Sequence, residues 1–253
     1  MPRVTTRTAP RRWRRLVGIL LAGALLAIVL REIVNSSTYQ LFGDYVARLD
    51  TTDRVVALTF DDGPDPVQTP MMLDLLDRHG VKATFFMMGR NVERHPQVVR
   101  QVLARGHEVG NHSYSHPKLI FMWPSAVREE IERTDRALRD SGATGDIPFR
   151  PPHAAKFVVL PYVLLQLGKT SVLGDVDPEE WKRPGAEMMT ASVLKQVRAG
   201  SILGFHDPMG EDTRRAVDAV VTRLVADGYA FETMSVFLRR RGQRSDAPSA
   251  APR

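Results

Sequence analysis

Cysteine is absent from this chain of 253 residues. Disulfide bonds and thiolate metal sites are therefore excluded. Any bound metal ion must be held by His, Asp or Glu side chains.

Acidic residues are absent from the first 31 residues, which carry seven Arg and form the most basic part of the chain. Residues 239–253 add a charge of +4, and because the whole chain carries +6, residues 32–238 are net −5. Nucleic-acid-binding domains concentrate Lys and Arg on one folded face, often among aromatic side chains. The basicity here lies at the two ends, so we predict no nucleic-acid binding.

Long apolar runs are scarce, and the most prominent is Leu16–Leu30, which follows six Arg. As a helix these residues span about 22 Å, less than the hydrocarbon core of about 30 Å. That length suits a signal peptide, but no good cleavage site follows, so we favour an uncleaved anchor with Arg15 and Arg31 at its ends. Either alternative predicts export. We expect a single-pass protein of the cytoplasmic membrane with its domain outside, or an exported protein if the segment is cleaved.

Strand-like and helix-like segments alternate about seven times over roughly 180 residues. This alternation predicts an α/β fold with a parallel sheet and outer helices, either open or closed into a barrel. We place the catalytic domain at 37–240, after an N-terminal segment 1–36. The polar, Pro/Ala-rich tail 241–253 is expected to be disordered.

Two short motifs carry residues that can bind metal. In TFDDGP, Asp61 and Asp62 are adjacent at a strand end, and in HSYSHP, His112 and His116 are four residues apart. A catalytic zinc needs about three protein ligands, and a carboxylate kept off the metal can take a proton from water. The alternatives are an ordinary Asp-rich turn and two surface His in a polar loop.

Three later motifs carry further polar residues. His206, in ILGFHD, is either a general acid or a half-buried structural His. Arg150, in FRPP, either holds a carboxylate ionised or is an ordinary surface residue. The segment GDVDPEEW offers Asp175, Asp177 and Glu180, one of which could orient His206, although acidic runs are often solvated loops.

In this order and spacing, TFDDGP, HSYSHP, FRPP, DVDPEEW and ILGFHD resemble the polysaccharide deacetylases of carbohydrate esterase family four, which share a chitooligosaccharide-deacetylase domain. The resemblance covers about residues 38–238. It implies a distorted (β/α)₇ barrel, here preceded by the N-terminal apolar helix. It also implies one divalent metal, usually Zn²⁺, with Co²⁺ or another divalent ion as the alternative.

Position by position, the resemblance implies roles for single residues. Asp61 would be the base and His206 the acid, with Arg150 tuning Asp61. The ligands would be Asp62, His112 and His116, and Leu203 would line the acetyl pocket.

Three positions depart from the family pattern. His153 stands where the family has Tyr, and its backbone N–H is expected to contact the oxyanion. Gly174 stands where an aromatic residue is common. Glu180 replaces Asp before Trp181, so as the partner of His206 it would be one methylene longer, and the choice between Glu180 and the other acids of this segment stays open. Trp181 is expected to contact the substrate.

The expected activity is metal-dependent hydrolysis of N-acetyl groups on an amino-sugar polymer, releasing acetate. Peptidoglycan, chitooligosaccharide and exopolysaccharide are the candidate substrates. The alternatives are a hydrolase of another small amide or imide, and a catalytically inactive wall-binding protein. The sequence indicates the membrane as a partner through the N-terminal segment. No protein partner can be inferred from it.

Overall fold

The computed structural model describes residues 11–36, 38–207 and 210–245. Within these ranges it contains seven strands, nine α-helices and two 3₁₀ turns. The strands are β1 (Tyr45–Val46), β2 (Val55–Gly63), β3 (Thr84–Met87), β4 (Glu108–Asn111), β5 (Ser171–Val172), β6 (Ile202–His206) and β7 (Ala230–Phe231). The helices are α1 (Arg11–Asn35), α2 (Gln68–His79), α3 (Gly89–Arg94), α4 (Pro96–Ala104), α5 (Pro124–Asp140), α6 (Val159–Gln166), α7 (Ala186–Gln196), α8 (Glu211–Ala226) and α9 (Met234–Ser245). The 3₁₀ turns are Pro152–Ala154 and Glu180–Lys182.

The strands pair in parallel, as the alternation of strands and helices predicts. Four of them lie in the order β4-β3-β2-β6, β7 pairs with the start of β2, and β1 pairs with β5. Isolated parallel bridges join Phe149 to Asn111 and to Ser171, and join Val176 to Leu203 in β6. Strand segments therefore follow one another around a distorted barrel that the described strands do not close, with helices outside, which confirms the predicted α/β fold.

The two faces of β2 have different surroundings. Leu58 and Phe60 face outward and pack with α2, α7 and α8 in the largest buried cluster. Ala57 belongs instead to an inner cluster with Phe86 and Ile202. Since side chains alternate along a strand, Asp61 lies on the inner face, at the carboxyl end where barrel sites form.

The side chain of Asp65 binds the free backbone groups at the start of α2, because its Oδ1 accepts the backbone N–H groups of Val67 and Gln68 at 2.8 and 2.7 Å. The Thr69 hydroxyl, already inside the helix, donates to Asp207. The helix ends before Gly80, which is in the left-handed conformation at φ 65°.

The apolar helix α1 contains a segment long and apolar enough to span a membrane, Arg15–Asn35, with a mean hydropathy of 2.3 and none of it buried. Its carboxyl end contacts the first 3₁₀ turn region, where the backbone N–H of Lys156 donates to the carbonyl of Val34 at 3.0 Å. At the other end of the chain, α9 runs to Ser245. The expected domain boundary at 240 therefore falls within a helix, and residues 246–253 of the expected tail lie outside the described residues.

Candidate active site

Asp62, His112 and His116 come together beyond the carboxyl ends of β2 and β4. Oδ1 of Asp62 lies 3.1 Å from Nε2 of His116 and 3.5 Å from Nε2 of His112. One ligand atom from each of the three residues lies within 4.8 Å of the others. The residues predicted as ligands therefore converge, and among the described residues they are the one such group of three.

Unusual backbone conformations create this convergence. The register of β2 against β3 shifts between Asp61 and Gly63, and Asp62 there has φ 72°. A bulge of this kind re-aims one side chain, so the adjacent carboxylates diverge. His116 reaches the site through a turn with φ 63°, and Pro117 directly after it disfavours a helix here.

The electrostatics of the three residues fit a cation. Burial opposes ionisation of Asp62, but the contact with His116 and the charges of His112 and His206 lower its pKa to about 2. Burial lowers the pKa of His112, which keeps its imidazole neutral, as a metal ligand must be. Oδ1 of Asp62 is buried without a hydrogen-bond partner. Because such an oxygen is costly to leave unpaired, the donor set fits a divalent metal ion.

Asp61 is held by Arg150 rather than by the histidines. The guanidinium of Arg150 donates to Oδ1 of Asp61 at 2.8 Å and to Oγ1 of Thr59 at 2.7 Å. Its second amino group donates to the carbonyl of Leu173, and the guanidinium carbon lies 4.3 Å from the ring centre of Phe86. Both charged side chains are nearly buried, so Asp61 is fixed beside the cluster of Asp62, His112 and His116 without belonging to it.

His206 lies beside Asp61, since the two residues are paired in the register of β6 and β2. Its Nδ1 is 2.6 Å from Oε2 of Glu180, whose other oxygen accepts from Thr213 at 2.8 Å. Burial opposes protonation of His206, but the bond to Glu180 and the charges of Asp61 and Asp62 raise its pKa to about 9. The structure thus brings the protonated imidazole of His206 next to the carboxylate of Asp61.

The other acids of the GDVDPEEW segment do not contact His206. Asp175 accepts the backbone N–H of Ile202 at 2.9 Å and the hydroxyl of Ser201 at 3.1 Å. Asp177 accepts the backbone N–H of Glu179. Glu180 is therefore the carboxylate that partners the imidazole.

His153 stands at the rim of the site, in the first 3₁₀ turn. Its ring centre is 4.4 Å from that of His116, and its φ is 57°. This residue interrupts the helical conformation of the turn, whose neighbouring residue Ala154 is also left-handed, at φ 51°. Trp181 belongs to the second 3₁₀ turn, and its side chain lies outside the part of the structure that is described.

Leu203 is not brought to the site, which corrects the expectation drawn from the family pattern. It lies three residues before His206 on a regular strand, so the two side chains point to opposite faces. Leu203 is fully buried with Leu58 and Phe205 under the outer helices. The residue of β6 on the same face as His206 is Gly204, beside the guanidinium of Arg150.

Asp207 is a buried residue of the site region that the sequence reasoning did not assign. It accepts the hydroxyl of Thr69, and a Cβ atom at Gly63 would lie 2.4 Å from its Oδ2. Burial, the largest cause, raises its pKa to about 7. Asp207 thus packs directly under the turn that carries the two adjacent carboxylates. The sequence signal that could have identified it is its position directly after His206 in the ILGFHD motif.

Comparison with known proteins agrees with this geometry. The family model described as polysaccharide deacetylase matches residues 48–172. A chitooligosaccharide deacetylase of Bradyrhizobium sp. (strain ANU 289) is 40% identical over 170 residues, which cover 66% of this chain and 77% of the relative. A peptidoglycan-N-acetylglucosamine deacetylase of Listeria monocytogenes is 38% identical over 183 residues, or 72% of this chain. The match spans only 38% of the length of that Listeria protein.

Solved structures show the same relationship. Peptidoglycan deacetylase PdaC from Bacillus subtilis superposes with a TM-score of 0.70 at 32% identity, covering 78% of this chain and 96% of that one. A CE4 family pseudoenzyme from Bacillus anthracis gives a TM-score of 0.72 at 26% identity, covering 78% of this chain and 70% of that one. The chain therefore belongs to the polysaccharide deacetylase family.

Proposed function

We propose that this protein hydrolyses N-acetyl groups on an amino-sugar polymer, releasing acetate and leaving a free amine on the sugar. One arrangement carries the proposal. Asp61, which Arg150 holds, has His206 on one side. On its other side lies the cluster of Asp62, His112 and His116. Amide hydrolysis needs a base for water and an acid for the departing nitrogen, and this arrangement supplies one of each.

Asp61 is the proposed general base. Its bond to Arg150 fixes the orientation of the carboxylate, which can accept a proton from the attacking water. His206 is the proposed general acid, which Glu180 keeps protonated so that it can donate to the amine as the carbon–nitrogen bond breaks. The backbone N–H of His153 is the proposed donor to the oxygen of the acetyl carbonyl as negative charge develops there.

Asp62, His112 and His116 would hold the divalent cation. When bound, such an ion supplies Lewis-acid activation of the carbonyl and of water. One carboxylate and two imidazoles form a ligand set typical of catalytic zinc, and Co²⁺ also suits it. We therefore propose Zn²⁺ as the resident ion.

The proposed substrate is cell-wall peptidoglycan, with chitooligosaccharide and exopolysaccharide as further candidates. The Listeria and Bacillus relatives are named for peptidoglycan, and the Bradyrhizobium relative for chitooligosaccharide. We also propose that α1 anchors the chain in the cytoplasmic membrane with the domain outside, because six Arg precede the apolar segment.

A panel of substrates tests this function. Acetate release would be measured with the full chain on peptidoglycan, chitooligosaccharide and acetylated exopolysaccharide, and on small linear and cyclic amides. Release from at least one glycan is expected. Turnover of the small amides alone would favour a different hydrolase on the same scaffold. Binding to glycans without any turnover would favour an inactive protein, a case for which the Bacillus anthracis pseudoenzyme is a precedent in this fold.

A further inference from the structure

Exposed apolar side chains are concentrated around one place on the domain. Outside α1, the described residues include twelve large hydrophobic residues with highly exposed side chains, and eight of them fall in three short segments. Phe121 and Trp123 are 88% and 81% exposed. We call these eight residues the apolar collar: Tyr39, Leu41, Phe42, Phe121, Trp123, Val158, Tyr162 and Leu165.

The three segments of the apolar collar adjoin one another through α6. Val158, Tyr162 and Leu165 have the spacing of one helix face, and this face is exposed. Gly43, next to the first segment, lies against Pro161 of α6. Met122, between the two exposed aromatics of the second segment, packs on the buried cluster that α6 forms with α5.

The collar adjoins the end of α1. Lys156, two residues before Val158, is buried, and its backbone N–H and ammonium group donate to the carbonyls of Val34 and Ser36. The first collar residue, Tyr39, follows Ser36 after two residues. The apolar helix thus enters the domain through a short, hydrogen-bonded joint with exposed apolar residues beside it.

A lipid bilayer is the occupant that fits this surface. The segment Arg15–Asn35 has 21 residues, and at about 1.5 Å per residue it is about as long as the hydrocarbon core is thick, although its apolar run Leu16–Leu30 is shorter and leaves Arg15 and Arg31 to reach the interfaces. Its carboxyl end would therefore lie at the interface, and the collar begins there. Trp and Tyr are enriched at that depth, and exposed apolar patches of this kind mark membrane or protein contacts.

We propose that the apolar collar inserts into the interfacial layer of the outer leaflet and fixes the catalytic domain against the membrane. This inference rests on the membrane attachment proposed above. The first 3₁₀ turn, which carries His153 at the rim of the site, is also a part of the domain that α1 contacts. The site would then act on glycan close to the membrane surface, rather than on wall layers far from it.

Because the chain has no cysteine, single labels can test the contact. Phe121→Cys and Leu165→Cys report two segments of the collar, Leu21→Cys reports α1, and Met188→Cys, exposed on α7, is the matched control. Each full-length variant is labelled with an NBD fluorophore and reconstituted in vesicles of phosphatidylethanolamine and phosphatidylglycerol. Part of the lipid carries a nitroxide on its acyl chain, and quenching of the fluorophore is measured.

We expect lipid quenching at positions 121, 165 and 21, and little at 188. If the label at position 21 is quenched but either collar label is quenched no more than the control, the proposal is overturned, while the membrane anchor still stands. A blue shift at the collar labels without lipid quenching would indicate contact with a second copy and would also overturn it. Absence of quenching at 21 would reject the membrane attachment itself, and the proposal with it. None of these results depends on deacetylase activity, which is measured separately.

Discussion

The carbonyl oxygen of Arg150 lies 2.9 Å from Nδ1 of His112, while the guanidinium of the same residue donates to Asp61. If Nδ1–H donates to that carbonyl, Nε2 is left with a lone pair directed at Asp62. One residue therefore orients a proposed metal ligand through its backbone and the proposed base through its side chain.

Loss of His116 should abolish tight metal binding. His116→Ala removes one of three ligands, so we expect affinity for Zn²⁺ to fall by more than the roughly 10- to 100-fold that loss of an outer-shell partner causes. His153→Ala is the matched control, because that imidazole is adjacent and both residues have φ near +60°. Metal content after dialysis is the measurement. Equal metal in His116→Ala and the parent, or loss in His153→Ala, would contradict the ligand assignment.

Asp61→Asn should retain the metal and lose most of its turnover. The amide keeps the shape of the carboxylate but cannot accept a proton from water, and loss of a general base typically costs about 10²- to 10⁴-fold. Acetate release and metal content are measured on the same preparation, with the exposed Asp140→Asn as control. A rate within a few-fold of the parent would rule out Asp61 as the base.

Glu180→Gln should move the basic limb of the pH–rate profile to lower pH. Burial lowers the pKa of His206, but the bond to Glu180, together with the charges of Asp61 and Asp62, raises it to about 9, so the acid form of His206 persists at neutral pH and is lost as pH rises through that value. Without the carboxylate the imidazole loses its proton earlier. Parent and variant are compared with the same metal bound, and the exposed Glu187→Gln serves as control. An unchanged basic limb would argue against the Glu180–His206 pair as the source of the acid.

Asp207→Asn should change how stability depends on pH. Burial raises the pKa of Asp207 from 3.8 to about 7. Between these values the folded state keeps a proton that the unfolded state has released, so this group lowers stability as pH rises, by up to about 1.4 kcal/mol per pH unit. The free energy of unfolding is measured with urea at the two pH values that bound this interval. It should fall less with rising pH in the variant than in the parent. An equal loss in both proteins would mean that Asp207 is already ionised when buried.

The metal cluster could be predicted from the sequence because its residues directly follow predicted strands. Parallel strands bring their carboxyl ends to one edge, so Asp62 and His112 were expected to meet. The partner of His206 was harder to predict, since Asp175, Asp177 and Glu180 lie within six residues. Only the path of the chain after Val176 places Glu180 at the imidazole.

The position of Leu203, in contrast, could not be predicted from the sequence. A short motif gives the order of residues but not the face on which each side chain lies, and a shift of one position reverses that face. The pairing of Asp61 with His206 across β2 and β6 fixes the inner face, and Leu203 lies on the outer one. The apolar collar could not be predicted from the sequence either, because its three segments adjoin only through the packing of α6.

Release of acetate by the metal-loaded full chain on N-acetylated peptidoglycan tests the central claim most directly. The account predicts that acetate and new free amino groups appear in equal amounts, that a chelator stops both, and that Zn²⁺ restores both. Deacetylation that persists after the metal has been removed, or no deacetylation by the loaded protein on any N-acetylated glycan, would contradict it.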